Sequence, residues 1–226
     1  MKDAPVVLAL ETSTENCSAA LAAGGKIEAH TLAVPREHTR HILGQVDELL
    51  GKAGLTAADL EAVAFGRGPG TFTGVRVATA LAQGLAVAHG LPLLPVSSLA
   101  ALAWKAWGKH QVSPVLAAMD ARLEEVYWAM FEVSPEDLSI LHPESLSPPA
   151  ELLAQLPSLP GGWQGAGSGW ALPEMQPATE TGAGVEPGLR PDARAVLELA
   201  LRDFRVGRVA DFERAQPTYL RHPVRS

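Results

Sequence analysis

The order of predicted elements along the chain is the feature that most constrains its fold. Three short apolar runs typical of β-strands come first, at Pro5–Leu10, Cys17–Ala23 and Ile27–Val34. Helices that alternate with further strands follow them, and a new set of strands begins with Val115–Met119. This repeated order predicts an α/β fold built from two subdomains. The first covers residues 1–110, and the second, smaller and rich in loops, covers residues 111–226.

Two predicted helices in the first half differ in composition. Arg36–Leu50 carries large aliphatic side chains at helical spacing, whereas Phe72–His89 is dominated by alanine and glycine and ends at Gly90. Small residues allow another helix to approach closely. Both helices could simply cover the sheet. A shared apolar patch left exposed between them would instead mark a protein interface.

Size and composition exclude several classes of protein. The chain has 226 residues, 47% apolar and 19% charged, which is typical of a globular protein. A chain of this size buries roughly 70% of its unfolded surface and needs no disulfide or metal for stability. Its single cysteine, Cys17, excludes a disulfide framework and a multi-cysteine zinc site. No signal-peptide core or long apolar run is found, so we expect a cytoplasmic protein without a membrane segment.

The net charge of −7 is unevenly distributed. Residues 1–110 contain nine basic and nine acidic residues, whereas residues 111–226 contain nine arginines and sixteen acidic residues. Neither half has the basic excess of a protein that binds nucleic acid by itself. We therefore expect any RNA to be held mainly by a partner.

A glycine-rich loop, G-R-G-P-G-T-F-T-G-V-R, occupies Gly66–Arg76 between a predicted strand and a predicted helix. Such a loop presents backbone N–H groups and a helix dipole to an anion. It is not a P-loop, because that motif requires a lysine after its second glycine and Gly74 is followed by Val75. Two interpretations remain open: a tight turn whose glycines permit close packing, or a phosphate contact. The ligand-facing candidates in this loop are Gly68, Gly70, Thr71, Thr73 and Gly74.

A polar turn between the first two strands is the second candidate ligand site. It contains Glu11, Thr12 and Ser13, followed by Thr14. A carboxylate with neighbouring hydroxyls could hold hydrated Mg²⁺ and donate to a phosphate. Turns are also simply rich in such residues, so both interpretations remain open here too.

Other catalytic patterns are absent from the sequence. The histidines of Glu37-His38-Thr39-Arg40-His41 are three residues apart, not four as in the zinc motif H-E-x-x-H. Cys17 lies in an apolar run, which indicates a buried structural side chain and not a nucleophile. The G-x-S-x-G motif of serine hydrolases does not occur. The glycine cluster Gly161–Gly169 is interpreted as a packed loop, with contact to a nucleotide base as the alternative. We predict no catalytic residue and no metal ligand.

Five segments together resemble the TsaB (YeaZ) family. They are L-A-L-E-T-S-T-E-N-C-S-A-A-L (Leu8–Leu21), R-E-H-T-R-H-I-L (Arg36–Leu43), the glycine loop Gly66–Arg76, P-V-S-S-L (Pro95–Leu99) and M-D-A-R-x-x-E-V-Y-W (Met119–Trp128). The resemblance covers nearly the whole chain and weakens between residues 134 and 190. It implies an actin-like (ASKHA, ribonuclease H-like) fold of two subdomains, the second reduced.

The resemblance also implies a function. TsaB proteins take part in making threonylcarbamoyladenosine at position 37 of tRNAs that read ANN codons. TsaC makes threonylcarbamoyl-AMP, TsaD transfers the threonylcarbamoyl group, TsaB binds TsaD, and TsaE is an ATPase partner. TsaD-like proteins bind metal through histidines four residues apart, and this chain has no such pair. The chain is thus expected to be a non-catalytic scaffold without a cofactor of its own, with ATP or ADP and metal on TsaD and TsaE.

The same resemblance implies that the two helices form the surface that pairs with TsaD, and that this surface forms a homodimer when TsaD is absent. tRNA would be contacted only through the complex. A negative charge introduced by Val46→Asp is expected to abolish pairing and leave the fold intact. The predicted interface residues are Arg36, His38, Ile42, Leu43, Val46, Leu50, Arg76, Ala80 and Gly84.

Two alternative functions make different demands on the sequence. An ATP-dependent phosphotransferase of the same fold would use Glu11 and the loop Gly68–Gly74, although the turn at Glu11 lacks the glycine usual in a phosphate hairpin. A peptidase would need a metal pair or a nucleophile motif, and the sequence has neither.

Overall fold

The computed structural model describes residues 4–178 and 182–221. They form two units, each with its own sheet. The first unit runs up to Ala101 and includes Pro191–Thr218, and the second spans Leu102–Arg190 and resumes at Tyr219. This division corrects the predicted boundary at residue 110, because Pro191–Thr218 belongs to the first unit.

The first sheet has five strands in the order β3-β2-β1-β4-β5. β1, β2 and β3 are antiparallel neighbours, whereas β1, β4 and β5 are parallel. Every residue of β1 and β4 is buried, as is usual for central strands with both faces covered. The strands are β1 Val7–Glu11, β2 Asn16–Ala23, β3 Lys26–Ala33, β4 Ala62–Gly66 and β5 Leu93–Val96.

Helices α1 (His38–Ala53) and α2 (Phe72–His89) cover one face of this sheet. Their buried side chains form a single core with alternate strand residues such as Leu8 and Phe65. Gly54 and Gly90 end the two helices with positive φ angles of 69° and 66°, which confirms Gly90 as the predicted stop.

Helix α3 (Ser98–His110) follows β5 and crosses the boundary between the units. Helix α5 (Ala193–Arg205) packs against all five strands of the first sheet. It shares no residue with the core under α1 and α2, so it covers the opposite face. Because α5 packs on the first sheet, this helix belongs to the first unit although it follows the second unit in sequence.

The second sheet repeats the topology of the first, in the order β10-β9-β6-β7-β8. Three antiparallel strands, β6, β7 and β8, are again followed by two strands parallel to the first of them. β9 and β10 have three residues each, so the parallel part of this sheet is short. The remaining elements are β6 Val115–Arg122, β7 Glu125–Val133, β8 Leu138–Ser147, α4 Pro149–Gln155, β9 Gln164–Ala166 and β10 Gly184–Glu186.

The glycine cluster Gly161–Gly169 is packed in the second unit, as expected, but its middle residues form strand β9 and are not part of a loop. Trp163 and Trp170 stack with ring centroids 5.0 Å apart, and a Cβ on Gly165 would collide with Val185. A Cβ on Gly167 would collide with the carbonyl oxygen of Ala118 on β6. Gly165 and Gly167 therefore allow this segment to pack closely on the core.

No helix among the described residues has the length and apolar character needed to cross a membrane.

Candidate functional site

The polar turn after β1 is joined by hydrogen bonds to the glycine loop before α2 and to the first turns of that helix. The Thr12 hydroxyl donates to the Gly74 carbonyl at 2.6 Å and accepts from the Ala78 N–H at 3.2 Å. The Thr71 N–H donates to the Ser13 carbonyl at 2.7 Å. Both Thr12 and Ser13 are buried. The Thr12 hydroxyl and the Ser13 carbonyl therefore join the chain to itself, which corrects the expected role of Thr12 as a ligand-facing residue. The Ser13 hydroxyl is buried as well, but it has no hydrogen-bond partner among the described residues.

The glycines of the loop make this approach possible. A Cβ on Gly74 would collide with the Thr12 carbonyl oxygen, and a Cβ on Gly70 would collide with Ser13. Gly68 and Gly74 are buried as well, whereas Thr71 and Thr73 are exposed. Of the two interpretations of this loop, the structure favours a tight turn whose glycines permit close packing.

Gly74→Ala and Gly84→Ala place the same methyl group at two sites of α2 with opposite expected effects. We expect Gly74→Ala to lower the free energy of unfolding by about 3 kcal/mol, because the backbone of Thr12 must move. Gly84 has open space around its Cα, so Gly84→Ala should raise the stability of the isolated chain by about 0.5–1 kcal/mol through helix propensity. Urea unfolding of both variants measures the difference, and equal effects would contradict the packing described.

Glu11 is a buried carboxylate whose hydrogen bonds all lie within the first unit. Oε1 accepts from the Ser13 N–H at 2.6 Å, and Oε2 accepts from the Ser98 hydroxyl at 2.8 Å. A Cβ on Gly66 would collide with this carboxylate. Burial raises the pKa of Glu11, and Asp192 raises it further, against the lowering effect of the two serines. This side chain is therefore part of the packing and lies away from solvent.

The raised pKa of Glu11 predicts a pH dependence of stability. When a folded-state pKa lies above the unfolded value, the group stabilises the fold below the unfolded pKa and loses that contribution as pH rises through the folded pKa. Glu11→Gln keeps the shape and stays neutral. We expect its free energy of unfolding to increase relative to the wild type as pH rises above 4.5, the ordinary value. Parallel denaturation series from pH 4 to about pH 8 test this, and a constant difference would contradict it.

The start of α1 is fixed to the same polar turn. The His38 ring donates from Nε2 to the Thr14 carbonyl at 2.9 Å, and the Gln45 amide donates to the Cys17 carbonyl at 3.1 Å. His38 is only 6% exposed, so its predicted place at the rim of an interface is wrong. Burial also raises the pKa of the Cys17 thiol to about 11, as expected for a structural cysteine.

An apolar groove of about 390 Å³ lies between α1 and α2. Leu43 is 54% exposed and Phe72 is 70% exposed at its edges. The Arg76 guanidinium lies 3.2 Å from the centroid of the Phe72 ring and donates to the Phe72 carbonyl at 2.8 Å. The lining residues are Thr39, Ile42, Leu43, Phe72, Thr73, Arg76, Val77, Ala80 and Leu81.

Several predicted interface residues lie beneath this surface. Ile42, Val46 and Leu50 are 2%, 4% and 5% exposed and belong to the core under α1 and α2. The physical reason is that a helix on a sheet uses its apolar stripe for the protein's own core. Ile42 still contributes to the floor of the groove. The remaining predicted residues are exposed (Arg36, Leu43, Ala80, Gly84) or half-buried (Arg76).

Phe72 was missed by the sequence analysis, although it is among the most exposed large apolar side chains. The available signal was its position directly after the helix N-cap, Thr71, whose side chain accepts from the Gly74 N–H. Gly74 and Val75 of the same turn are buried, so Phe72 lies on the opposite, outward side of the helix.

In the described ranges, no group of three or more His, Cys, Asp or Glu side chains is placed to hold a metal ion.

The duplicated sheet topology, with one unit reduced, defines an actin-like α/β protein. A family model described as TsaD, tRNA N6-adenosine threonylcarbamoyltransferase, matches residues 31–177. The tRNA threonylcarbamoyladenosine biosynthesis protein TsaB of Escherichia coli is 41% identical over 96% of this chain and 95% of that protein. TsaB of Haemophilus influenzae is 38% identical over 96% of this chain and 94% of that protein.

Solved structures agree with this relationship. The structure described as YeaZ from Pseudomonas aeruginosa matches with a TM-score of 0.86 and 38% identity, over 96% of this chain and 100% of that chain. A second P. aeruginosa structure, described as similar to peptidase YEAZ, matches with a TM-score of 0.89 and 39% identity over the same shares. The chain belongs to the TsaB (YeaZ) family.

Proposed function

We propose that this protein takes part in threonylcarbamoyladenosine synthesis as a non-catalytic subunit that pairs with TsaD. The complex, which also contains TsaE, would transfer the threonylcarbamoyl group to adenosine 37 of tRNAs that read ANN codons. The names of the E. coli and H. influenzae relatives support the pathway. The observation that carries the pairing role is the apolar groove between α1 and α2.

The shape of this surface suits a partner helix. Leu43 and Phe72 expose large apolar side chains, whereas Ala80 and Gly84 lie one turn apart on α2 and are small and exposed. Large side chains beside a strip of small ones allow the backbone of a second helix to approach closely. Exposed apolar patches of this kind mark protein interfaces.

The closed polar turn supports a non-catalytic role. Glu11, Thr12 and Ser13 are buried, and the Glu11 carboxylate and the Thr12 hydroxyl are hydrogen-bonded to groups of the first unit, so neither of these two side chains faces a phosphate. The same packing disfavours the phosphotransferase alternative. We expect ATP or ADP and metal to bind on TsaD and TsaE.

Two further properties belong to this proposal. We expect two copies of the chain to form a homodimer through the same groove when TsaD is absent, because burial of exposed apolar surface is favourable. We expect tRNA to be held through the complex, since the formal net charge of the chain is −7.

Reconstitution with unmodified tRNA tests the role. Purified TsaD, TsaE and a source of threonylcarbamoyl-AMP are incubated with and without this chain, and the nucleosides are analysed by mass spectrometry. We expect modification only when TsaD and the chain are both present. Modification by the chain without TsaD would contradict the non-catalytic role, and full activity of TsaD without the chain would contradict the need for a subunit.

A further inference from the structure

The segment Ala210–Thr218, here named the tail, returns from α5 across the first unit. The Ala210 N–H and carbonyl exchange hydrogen bonds of 2.8 and 3.0 Å with Leu93 on β5. The tail thus begins as an antiparallel pairing on the edge strand of the first sheet.

The middle of the tail is attached to α2. Ala215 is completely buried in the same core as Ala78 and Ala82 of that helix. The Gln83 side-chain amide donates to the Ala215 carbonyl at 2.9 Å. The helix therefore has a second lateral neighbour besides α1.

The end of the tail is attached to the glycine loop. The Thr218 N–H donates to the Arg67 carbonyl at 2.7 Å, and the Arg67 guanidinium donates to the Thr218 hydroxyl. Arg67 also donates its own N–H to Val96 of β5 at 2.8 Å. The loop that leads into α2 is thereby fixed between β5 and the tail.

The tail and α1 lie on opposite flanks of α2. At about 100° per residue, Gln83 lies roughly 60° around the helix from Ala80, on one side. Val77 and Leu81, which line the groove with α1, lie on the other side of Ala80. The exposed strip of α2 that includes Ala80 thus faces outward between the two.

We propose that the tail is a positioning element of the partner surface: it holds α2 and the loop before Phe72 in the orientation that TsaD binds. This inference rests on the proposed pairing with TsaD. A surface already held in its bound conformation loses less conformational entropy on association. Removing tail contacts should therefore weaken binding although the residues removed line no part of the groove.

The test compares matched variants in calorimetric titrations with TsaD, well below the melting temperature of each variant. Thr218→Val keeps the shape and removes the hydroxyl that accepts from Arg67, whereas Thr218→Ser retains it. Gln83→Met removes the donor to Ala215. We expect the double variant Gln83→Met/Thr218→Val to bind TsaD about threefold to tenfold more weakly. Thr218→Ser should bind as the wild type does.

Hydrogen exchange of the free chain supplies a readout independent of TsaD. We expect faster exchange of the amides from residue 70 to residue 84 in the double variant. Asp192→Ala is the control for general destabilisation, because it removes the N-cap of α5, whose Asp192 carboxylate accepts from Ala195 at 2.9 Å. This control should melt at a lower temperature and keep its affinity for TsaD.

The outcomes separate the two proposals. If Ala80→Asp on the exposed strip leaves binding unchanged, the pairing surface itself is wrong. If Ala80→Asp abolishes binding while the double variant binds TsaD with wild-type affinity, the tail has no positioning role. Equal weakening by Asp192→Ala would also overturn the inference, since binding would then follow overall stability.

Discussion

Ala80→Asp is expected to abolish pairing with TsaD while leaving the fold intact. Ala80 is exposed on α2 and lines the groove beside α1, so the carboxylate remains hydrated in the free chain. On pairing it would lose that water without a partner, which costs several kcal/mol. We expect the dissociation constant to rise roughly 100-fold or more. Calorimetric titration of TsaD measures the change, and Leu43→Asp on the opposite wall should behave alike.

Ile140→Asp is the matched control for this prediction. Ile140 lies on β8 in the second unit and is 64% exposed, so the change again replaces an exposed apolar side chain by a carboxylate. We expect this variant to bind TsaD as the wild type does. An Ala80→Asp chain that still co-elutes with TsaD, or an Ile140→Asp chain that does not, would contradict the assignment of the surface.

Val46→Asp is expected to unfold the first unit, in contrast to the outcome expected from the sequence. Val46 is 4% exposed and packs in the core under α1 and α2. A carboxylate at this position is buried without a cation beside it. The packing contacts of the two valine methyl groups are lost as well. The cost is about 4–5 kcal/mol, a large part of the roughly 5–15 kcal/mol that stabilises a typical domain.

Thermal melting followed by circular dichroism tests this prediction. We expect Val46→Asp to lose its cooperative transition or to melt well below the wild type. Leu43→Asp lies one turn away on the same helix, at a side chain 54% exposed, and should melt like the wild type. If Val46→Asp melted normally but failed to bind TsaD, the side chain would belong to the interface after all.

The contrast between positions 43 and 46 shows what helical periodicity can predict. The spacing of Ile42, Leu43, Val46, Leu49 and Leu50 predicts one apolar face, and all of these side chains except Leu43 are buried. Periodicity does not tell whether that face meets the protein's own sheet or a partner. Here the sheet takes the face, and Leu43, at the edge of the stripe, remains exposed beside the groove.

The fold was predictable because its signals are local. The alternation of strands and helices and the stop at Gly90 both depend on neighbouring residues, and the structure contains both. The motif resemblance supplied the topology. Long-range contacts were not predictable in this way: the bonds from the tail to Leu93 and Arg67 join residues more than 100 positions apart.

Long-range contacts also explain why the role of the polar turn after β1 could not be predicted from the sequence. Its composition is equally typical of a ligand site and of a structural turn, and the sequence left both interpretations open. The decisive facts are the distances from Thr12 to Gly74 and Ala78, 62 and 66 positions further along the chain. Only the folded chain brings these groups together.

The most direct test of the central claim is nucleoside mass spectrometry of tRNA from source cells depleted of this protein. The cells are rescued with the wild type, with Ala80→Asp or with Ile140→Asp, at equal protein levels. We predict that depletion removes threonylcarbamoyladenosine and that the wild type and Ile140→Asp restore it, whereas Ala80→Asp does not. Unchanged modification after depletion, or full rescue by Ala80→Asp, would contradict the account.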